Sequence, residues 1–135
     1  MKEKKVSPDW YIAATHWLTA GFVVPFLLAL VLGIPLAIIL GKDNITLLSL
    51  SFVVINVLSV WLGVMYSAKY LAKTYIIKDS NQIAILATVF LVLVGGGFRV
   101  HTFMQTGVFA YEYIGFIIGI FVFYFTSKIY IKNSH

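Results

Sequence analysis

Apolar residues are gathered into four long runs, and nearly all charged residues lie between or outside these runs. The runs cover roughly residues 18–40, 47–71, 83–104 and 109–131. About 20 consecutive apolar residues, at ~1.5 Å each, match the ~30 Å hydrocarbon core of a bilayer. In lipid a segment must satisfy its own backbone hydrogen bonds, and a helix does so. The pattern predicts an all-α, polytopic membrane protein, a single domain over residues 1–135 folded as a four-transmembrane-helix bundle.

The first run can be extended back to residue 10, and a helix over residues 10–40 would be about 46 Å long, which exceeds the core. Ser7 and Pro8 are typical of a helix start, with serine as N-cap and proline at the first helical position. Two arrangements fit this excess length. One is a continuous tilted helix kinked at Pro25, and the other is an interfacial segment that ends near Trp17. We favour the continuous helix, because no turn residue interrupts its N-terminal part.

Composition agrees with a membrane location and excludes several chemistries. Hydrophobic residues make up 61% of the chain and charged residues 11%, whereas about 25% charged is usual in soluble domains. The chain has no cysteine, which excludes disulfides, thiol nucleophiles and thiolate metal sites. It also lacks the motifs of phosphate-binding loops, zinc hydrolases and serine hydrolases. We therefore expect a protein that is not an enzyme and has no cofactor and no metal site.

The basic residues predict how the helices are oriented. Eight of the ten flank one side of the predicted bundle: Lys2, Lys4, Lys5, Lys69, Lys73, Lys78, Lys128 and Lys132. Only Lys42 and Arg99 lie toward the other side. The positive-inside rule then places both termini in the cytoplasm of a multi-pass protein in a plasma membrane of the bacterial inner-membrane type. Since these lysines flank the apolar runs, the expected partner is the anionic lipid surface and not nucleic acid.

Tyrosine and tryptophan mark the predicted membrane boundaries, where their amphipathic rings are favoured. The cytoplasmic boundary is assigned to Trp10, Tyr11, Trp17, Tyr70, Tyr75 and Tyr130. Tyr111 and Tyr113 are assigned to the outer boundary. This assignment agrees with the orientation that the lysines predict.

Two polar side chains within the runs are candidates for function, because polar groups are costly in lipid. Asn56 lies near the middle of the second run. It can contact a substrate or ion, or form an interhelical hydrogen bond, and we favour the bond. His16 lies near the cytoplasmic boundary and can be a protonatable gate, a haem ligand or an interfacial side chain bonded to a carbonyl or headgroup. We favour the interfacial side chain, since His101 near the outer boundary is too distant to share a haem.

The end of the third run is the least usual stretch of the chain. Three consecutive glycines, Gly95, Gly96 and Gly97, weaken a helix by roughly 1 kcal/mol each relative to alanine. They predict either a hinge that exposes backbone to a cavity or a close approach by a neighbouring helix. Arg99 follows near the outer boundary, and Glu112 begins the fourth run at a similar depth. We expect these two to form an ion pair.

This charged pair has two interpretations. With His101 and Gln105 it could form an outward-facing polar vestibule on a substrate path. Alternatively, the pair is purely structural and the neighbouring polar groups reach for the membrane surface. The sequence leaves both open.

Small residues predict where the helices touch. Pro25 and Gly33 belong to a stripe that recurs along the first run, and Gly115 and Gly119 form a GxxxG pair in the fourth. Such stripes allow close backbone approach in lipid. They predict a packed bundle but do not separate packing within one chain from a dimer interface.

Two functions fit this pattern. The first is a small transporter or channel for a small polar or anionic solute, which would be attracted to Arg99 and pass Asn56. It would act as a homo-oligomer, because four helices enclose little more than their own side chains. The alternative is a non-catalytic membrane subunit or assembly factor of a larger membrane complex.

Overall fold

The computed structural model describes residues 3–134. Two of the basic residues on which the predicted orientation depends are not fully described: Lys2 lies outside this range, and the side chain of Lys42 is also outside the described part. The described chain is helical. It folds into four helices that are long and apolar enough to cross a membrane, as the hydrophobic pattern predicts. They are α1 (Asp9–Leu40), α2 (Ile45–Thr74), α3 (Ser80–Thr106) and α4 (Tyr111–Tyr130). A 3₁₀ turn over Gly41–Asn44 joins α1 to α2.

Helix α1 is continuous, as favoured, but its start differs from the expected one. It begins at Asp9, with Pro8 in the N-cap position in an extended conformation and with no side-chain cap. The carbonyl oxygen of Pro8 accepts a hydrogen bond from the Tyr11 N–H at 3.0 Å. The prediction of Ser7 as N-cap is therefore wrong by one residue.

A π-helical turn over Thr19–Val23 lies just before Pro25, the residue at which a kink is expected. Proline lacks an N–H, and its ring clashes with the carbonyl of the residue four positions earlier, which here is Gly21. The wider turn lies directly in front of the proline and contains that residue. Helix α1 can therefore continue through Pro25 to Leu40.

Helix α3 is bounded by local signals and is continuous through the three glycines. Asp79 caps it, because its Oδ1 accepts a hydrogen bond from the Gln82 N–H at 3.2 Å. A π-helical turn over Val92–Gly96 interrupts the α-helical hydrogen bonding without unwinding the helix. The helix ends at Gly107, whose φ of 68° lies in the left-handed region that glycine adopts readily.

The buried core is confined to one half of the bundle. We call the end that holds residues 5 and 134 the terminal end, and the end that holds the 3₁₀ turn and residues 107–110 the loop end. The connected hydrophobic core lies in the half nearest the terminal end, and its large side chains include Ile12, Val64, Leu71, Ile83, Leu91 and Phe123. In the other half, Val24–Leu40 contains one buried residue, Gly33, and Gly97–Thr106 contains none.

Backbone hydrogen bonds seal the terminal end. Lys5 N–H donates to the Thr74 carbonyl at 2.8 Å, and Ser134 N–H donates to the Ile77 carbonyl at 2.7 Å. The segment before α1, the connection between α2 and α3 and the segment after α4 are thus held together. Tyr75, assigned from the sequence to the membrane boundary, is buried in this closure.

Small residues allow the helices to approach within the chain. A Cβ at Gly63 would lie 2.9 Å from the Ala20 carbonyl oxygen, so α1 and α2 touch backbone to backbone there. The Phe52 ring of α2 occupies the space beside Gly33. Gly115 of the GxxxG pair faces Val53 of α2, with a Cβ distance of 3.3 Å. The glycines that the sequence assigned to packing therefore serve contacts within one chain.

Candidate functional site

A cleft lies between the helices on the loop-end side of the core. It consists of two adjoining cavities, both lined by Asn56 and Arg99. The outer lobe has a volume of about 400 Å³ and reaches Ser49 and Glu112. The inner lobe has a volume of about 370 Å³ and extends to Trp17, next to the core. Asn56 and Arg99 are thus the polar groups common to both lobes.

Arg99 is held by three kinds of contact. Its Nη2 pairs with Glu112 Oε1 at 2.8 Å, which is the ion pair expected from the sequence. Its Nη1 donates a hydrogen bond to the Gly95 carbonyl at 3.1 Å, and the guanidinium lies 4.2 Å from the centroid of the Phe116 ring. Its Nε is buried and has no hydrogen-bond partner within residues 3–134. One donor of the guanidinium is therefore unsatisfied.

The glycines before Arg99 have different roles. A Cβ at Gly95 would lie 2.7 Å from the Phe116 ring, so this glycine admits the ring on which Arg99 stacks. A Cβ at Gly96 would make only ordinary contact, and at Gly97 it would meet nothing within 4 Å. Of the two sequence interpretations, close approach by a neighbouring helix applies at Gly95, and α3 is not unwound at the three glycines.

Asn56 is half-buried in the wall of the cleft. Its amide forms no hydrogen bond with the protein among the described residues, so the favoured interhelical hydrogen bond is absent. Its main-chain carbonyl accepts a bond from the Ser59 hydroxyl of the same helix, at 2.8 Å. The amide is left free to meet a molecule in the cleft.

His101 and Gln105 do not belong to the cleft. Both are exposed on the last turns of α3 and line neither lobe. The vestibule expected from these two residues with Arg99 and Glu112 is therefore reduced to the charged pair. Helical geometry explains this, because residues two and six positions after Arg99 point about 200° and 240° away from it around the axis.

His16 lies in the half of the bundle that contains the core, which we call the closed half. Its prediction as an interfacial side chain is wrong. The side chain is completely buried. Its Nδ1 is 2.8 Å from the Ser67 hydroxyl of α2, and its Nε2 is 2.8 Å from the Ser127 hydroxyl of α4. The ring packs on Phe123, with centroids 5.1 Å apart. A neutral imidazole donates from one nitrogen and accepts at the other, and a hydroxyl can complement either role.

An apolar groove lies on the other side of Arg99, between α3 and α4. Its volume is about 400 Å³, and Val100, Phe103 and Phe116 contribute to its walls. Tyr113, assigned from the sequence to the outer boundary, is buried here and makes edge contacts with Phe103 and Phe109.

Comparison of the chain with protein-family models, with curated proteins and with solved structures gave no match.

Proposed function

We propose that the protein is a multi-pass membrane protein that binds a small polar or anionic solute in the cleft and carries it across the bilayer. The four apolar helices and the lysines around the terminal end support a membrane position with both termini in the cytoplasm. The cleft then faces away from the cytoplasm. The proposed location is a plasma membrane of the bacterial inner-membrane type.

The observation that carries the proposal is a cleft that is closed at one end and has a polar wall, by which we mean Arg99 and Asn56. Both residues belong to apolar helices long enough to span a membrane, and polar groups within such helices are costly and usually functional. Beyond the inner lobe, the core around Phe123 and His16 fills the bundle toward the terminal end. In a membrane, a solute could then reach the cleft from the loop end but not from the terminal end. A transporter that works by alternating access requires such a state.

The charge of the site favours an anionic group on the solute. The Glu112 side chain is 62% exposed and the Arg99 side chain 25%, so the carboxylate can turn to solvent while the guanidinium stays in the wall. An incoming anion can replace the carboxylate on Nη2, and the Asn56 amide can donate a further hydrogen bond. Arginine is suited to this task because it binds planar oxyanions through paired donors.

Flux measurements in proteoliposomes test the proposal. The probes are chloride, inorganic phosphate and glycerol 3-phosphate, each added outside vesicles that contain the wild-type protein. We expect uptake of at least one probe, lost in Arg99→Ala and in Asn56→Ala. The control is His101→Ala, which changes an exposed polar residue of α3 outside the cleft and should leave uptake unchanged. Folded wild-type protein that moves none of these probes would contradict the proposal.

A non-catalytic subunit of a larger membrane complex is the second candidate. The observation that favours it is the sparse packing of α1 and α3 beyond their π-helical turns, which leaves room for helices from another chain. In the transport proposal a homo-oligomer covers the same surfaces. The mass of the protein purified in mild detergent separates these cases, because a symmetric oligomer favours the transporter and a fixed ratio to a second chain favours the subunit.

A further inference from the structure

We propose that the molecule bound in the cleft is an anionic amphiphile from the membrane itself, with its headgroup at Arg99 and Asn56 and its acyl chain leaving sideways between α1 and α3. This inference names the ligand class of the proposed binding site and rests on that proposal. Three observations support it: the inner lobe opens between α1 and α3, Arg99 Nε and the Asn56 amide have no hydrogen-bond partner among the described residues, and the other side chains that line the lobe are mostly apolar.

The inner lobe opens sideways toward the lipid. Phe22 of α1 and Val94 and Phe98 of α3 line it, and their side chains are 58%, 52% and 71% exposed. Helices α1 and α3 pack together mainly before their π-helical turns, where Ala13 of α1 and Ile83 of α3 both belong to the core. At the level of the turns, where Phe22 and Val94 line the lobe, a gap between the two helices connects it with the surroundings of the bundle, which in a membrane are acyl chains.

The polar wall suits an anionic headgroup. On a guanidinium, Nε and Nη2 form a side-on fork that matches two oxygens of a phosphate or carboxylate. In Arg99, Nη2 is held by the exposed carboxylate of Glu112, and Nε has no partner in the described part of the chain. A headgroup that displaces Glu112 would occupy both positions of the fork. The Asn56 amide faces the same cavity and offers a neutral donor.

The rest of the inner lobe is unsuitable for a free hydrophilic ion. Apart from Asn56, Arg99 and the single indole N–H of Trp17, the side chains of its walls are hydrocarbon, among them Leu91, Phe98 and Phe116. An ion enclosed by such walls loses its hydration without receiving hydrogen bonds in return, which is unfavourable. A chain attached to the headgroup fills the same space without that cost. The combination of one cationic fork, one amide and an apolar exit therefore fits a lipid better than a soluble anion.

Binding measurements on the full-length protein in neutral detergent micelles test this inference. The two probes are dioleoyl phosphatidate and its water-soluble headgroup analogue glycerol 3-phosphate, titrated separately and followed by native mass spectrometry. We expect wild type to bind phosphatidate at least tenfold more tightly, a difference of ~1.4 kcal/mol. Arg99→Gln should weaken both ligands, because both use the guanidinium.

A matched pair of variants tests the side exit. Val94→Trp places a large ring in the gap, whereas Leu93→Trp makes the same kind of change at the adjacent exposed residue, which does not line the lobe. We expect Val94→Trp to lower phosphatidate affinity about tenfold while glycerol 3-phosphate affinity is unchanged. Leu93→Trp should change neither. If Val94→Trp does not fold, Val94→Phe and Leu93→Phe repeat the comparison with a smaller ring.

The outcomes separate this inference from the proposed function. Equal affinity for the two probes, with no effect of Val94→Trp on phosphatidate, would overturn the lipid ligand and leave a site for soluble anions. Phosphatidate binding that survives Arg99→Gln would overturn both, because it would be independent of the polar wall. Wild-type protein that binds neither probe would also overturn both.

Discussion

The buried histidine of the closed half offers the sharpest test of the fold. His16 joins three helices through hydrogen bonds of 2.8 Å to Ser67 and Ser127. His16→Phe keeps a ring of similar size beside Phe123 but removes both bonds. A net hydrogen bond is worth about 1 kcal/mol in proteins generally, and interhelical bonds in membranes average ~0.6 kcal/mol with a maximum of ~1.7. Two such bonds give an expected loss of about 2 kcal/mol in the free energy of unfolding.

Serine variants separate the interhelical bond from the simple loss of a hydroxyl. Ser67→Ala removes one bond to His16 and should cost about 1 kcal/mol. The matched control is Ser59→Ala, because Ser59 lies on the same helix and is equally buried, but its hydroxyl bonds only to the Asn56 carbonyl of its own helix. Such local bonds contribute little to helix association, so we expect a cost below about 0.5 kcal/mol for Ser59→Ala.

The assay is reversible unfolding in mixed micelles by increasing dodecyl sulfate, followed by far-ultraviolet circular dichroism. Once His16 is replaced by phenylalanine, the hydroxyl of Ser67 has lost its partner, so Ser67→Ala should add almost nothing in the double variant. Additive losses in the double variant would refute the interhelical bond. Equal losses for Ser67→Ala and Ser59→Ala would do the same.

Three further predictions concern packing, capping and orientation. Gly63→Ala should lower the free energy of unfolding by about 1–2 kcal/mol, because the new methyl group meets the α1 backbone. Gly97→Ala should raise the free energy of unfolding by up to ~1 kcal/mol, because alanine favours the helix and meets no neighbour there. The same dodecyl sulfate titration measures both, and equal effects would contradict the packing at Gly63. Asp79→Ala should cost about 1 kcal/mol in that assay through loss of the α3 cap, and no loss would show that the cap is dispensable. In this cysteine-free chain, Val108→Cys should react with an impermeant maleimide in intact cells and Lys132→Cys only after permeabilisation, and the reverse pattern would contradict the orientation.

The sequence predicts features that depend on the solvent or on near neighbours. Lipid forces a long apolar run to be helical, so the four helices follow from hydrophobicity alone. The cap at Asp79 depends on a residue three positions away. The pair of Arg99 and Glu112 is predictable because a short connection between two helices brings the end of one to the start of the next.

The remaining features depend on contacts between residues that are distant in sequence. His16 bonds to residues 51 and 111 positions away, and no local pattern indicates that three helices place these groups together. Its position among aromatic residues near a helix end is equally typical of the membrane surface. The burial of Tyr75 is equally non-local, because its ring packs against Tyr11, 64 positions earlier, with centroids 6.2 Å apart.

The two π-helical turns explain why the closed half and the cleft coexist in one bundle. Each inserts an extra residue into a helical turn, which rotates everything beyond it by about 100° relative to the helix before it. In α1 and α3 the turns face each other, since a Cβ at Gly21 would lie 3.3 Å from Leu91, the residue just before the second turn. Up to this level, small and branched residues pack the two helices together.

From the turns onward, α1 and α3 no longer pack closely, and the inner lobe opens at the level of the turns, where Gly21, Phe22, Val94 and Gly95 line it. The second turn also supplies the Gly95 carbonyl that holds Arg99 and the space that admits Phe116. The backbone of this turn therefore determines both where Arg99 lies and which groups it contacts. A deletion of one residue within Val92–Gly96 that restores α-helical winding should rotate Arg99 out of the cleft and abolish ligand binding, while the core near the terminal end stays folded. Retained binding after such a deletion would show that the π-helical turn does not position the site.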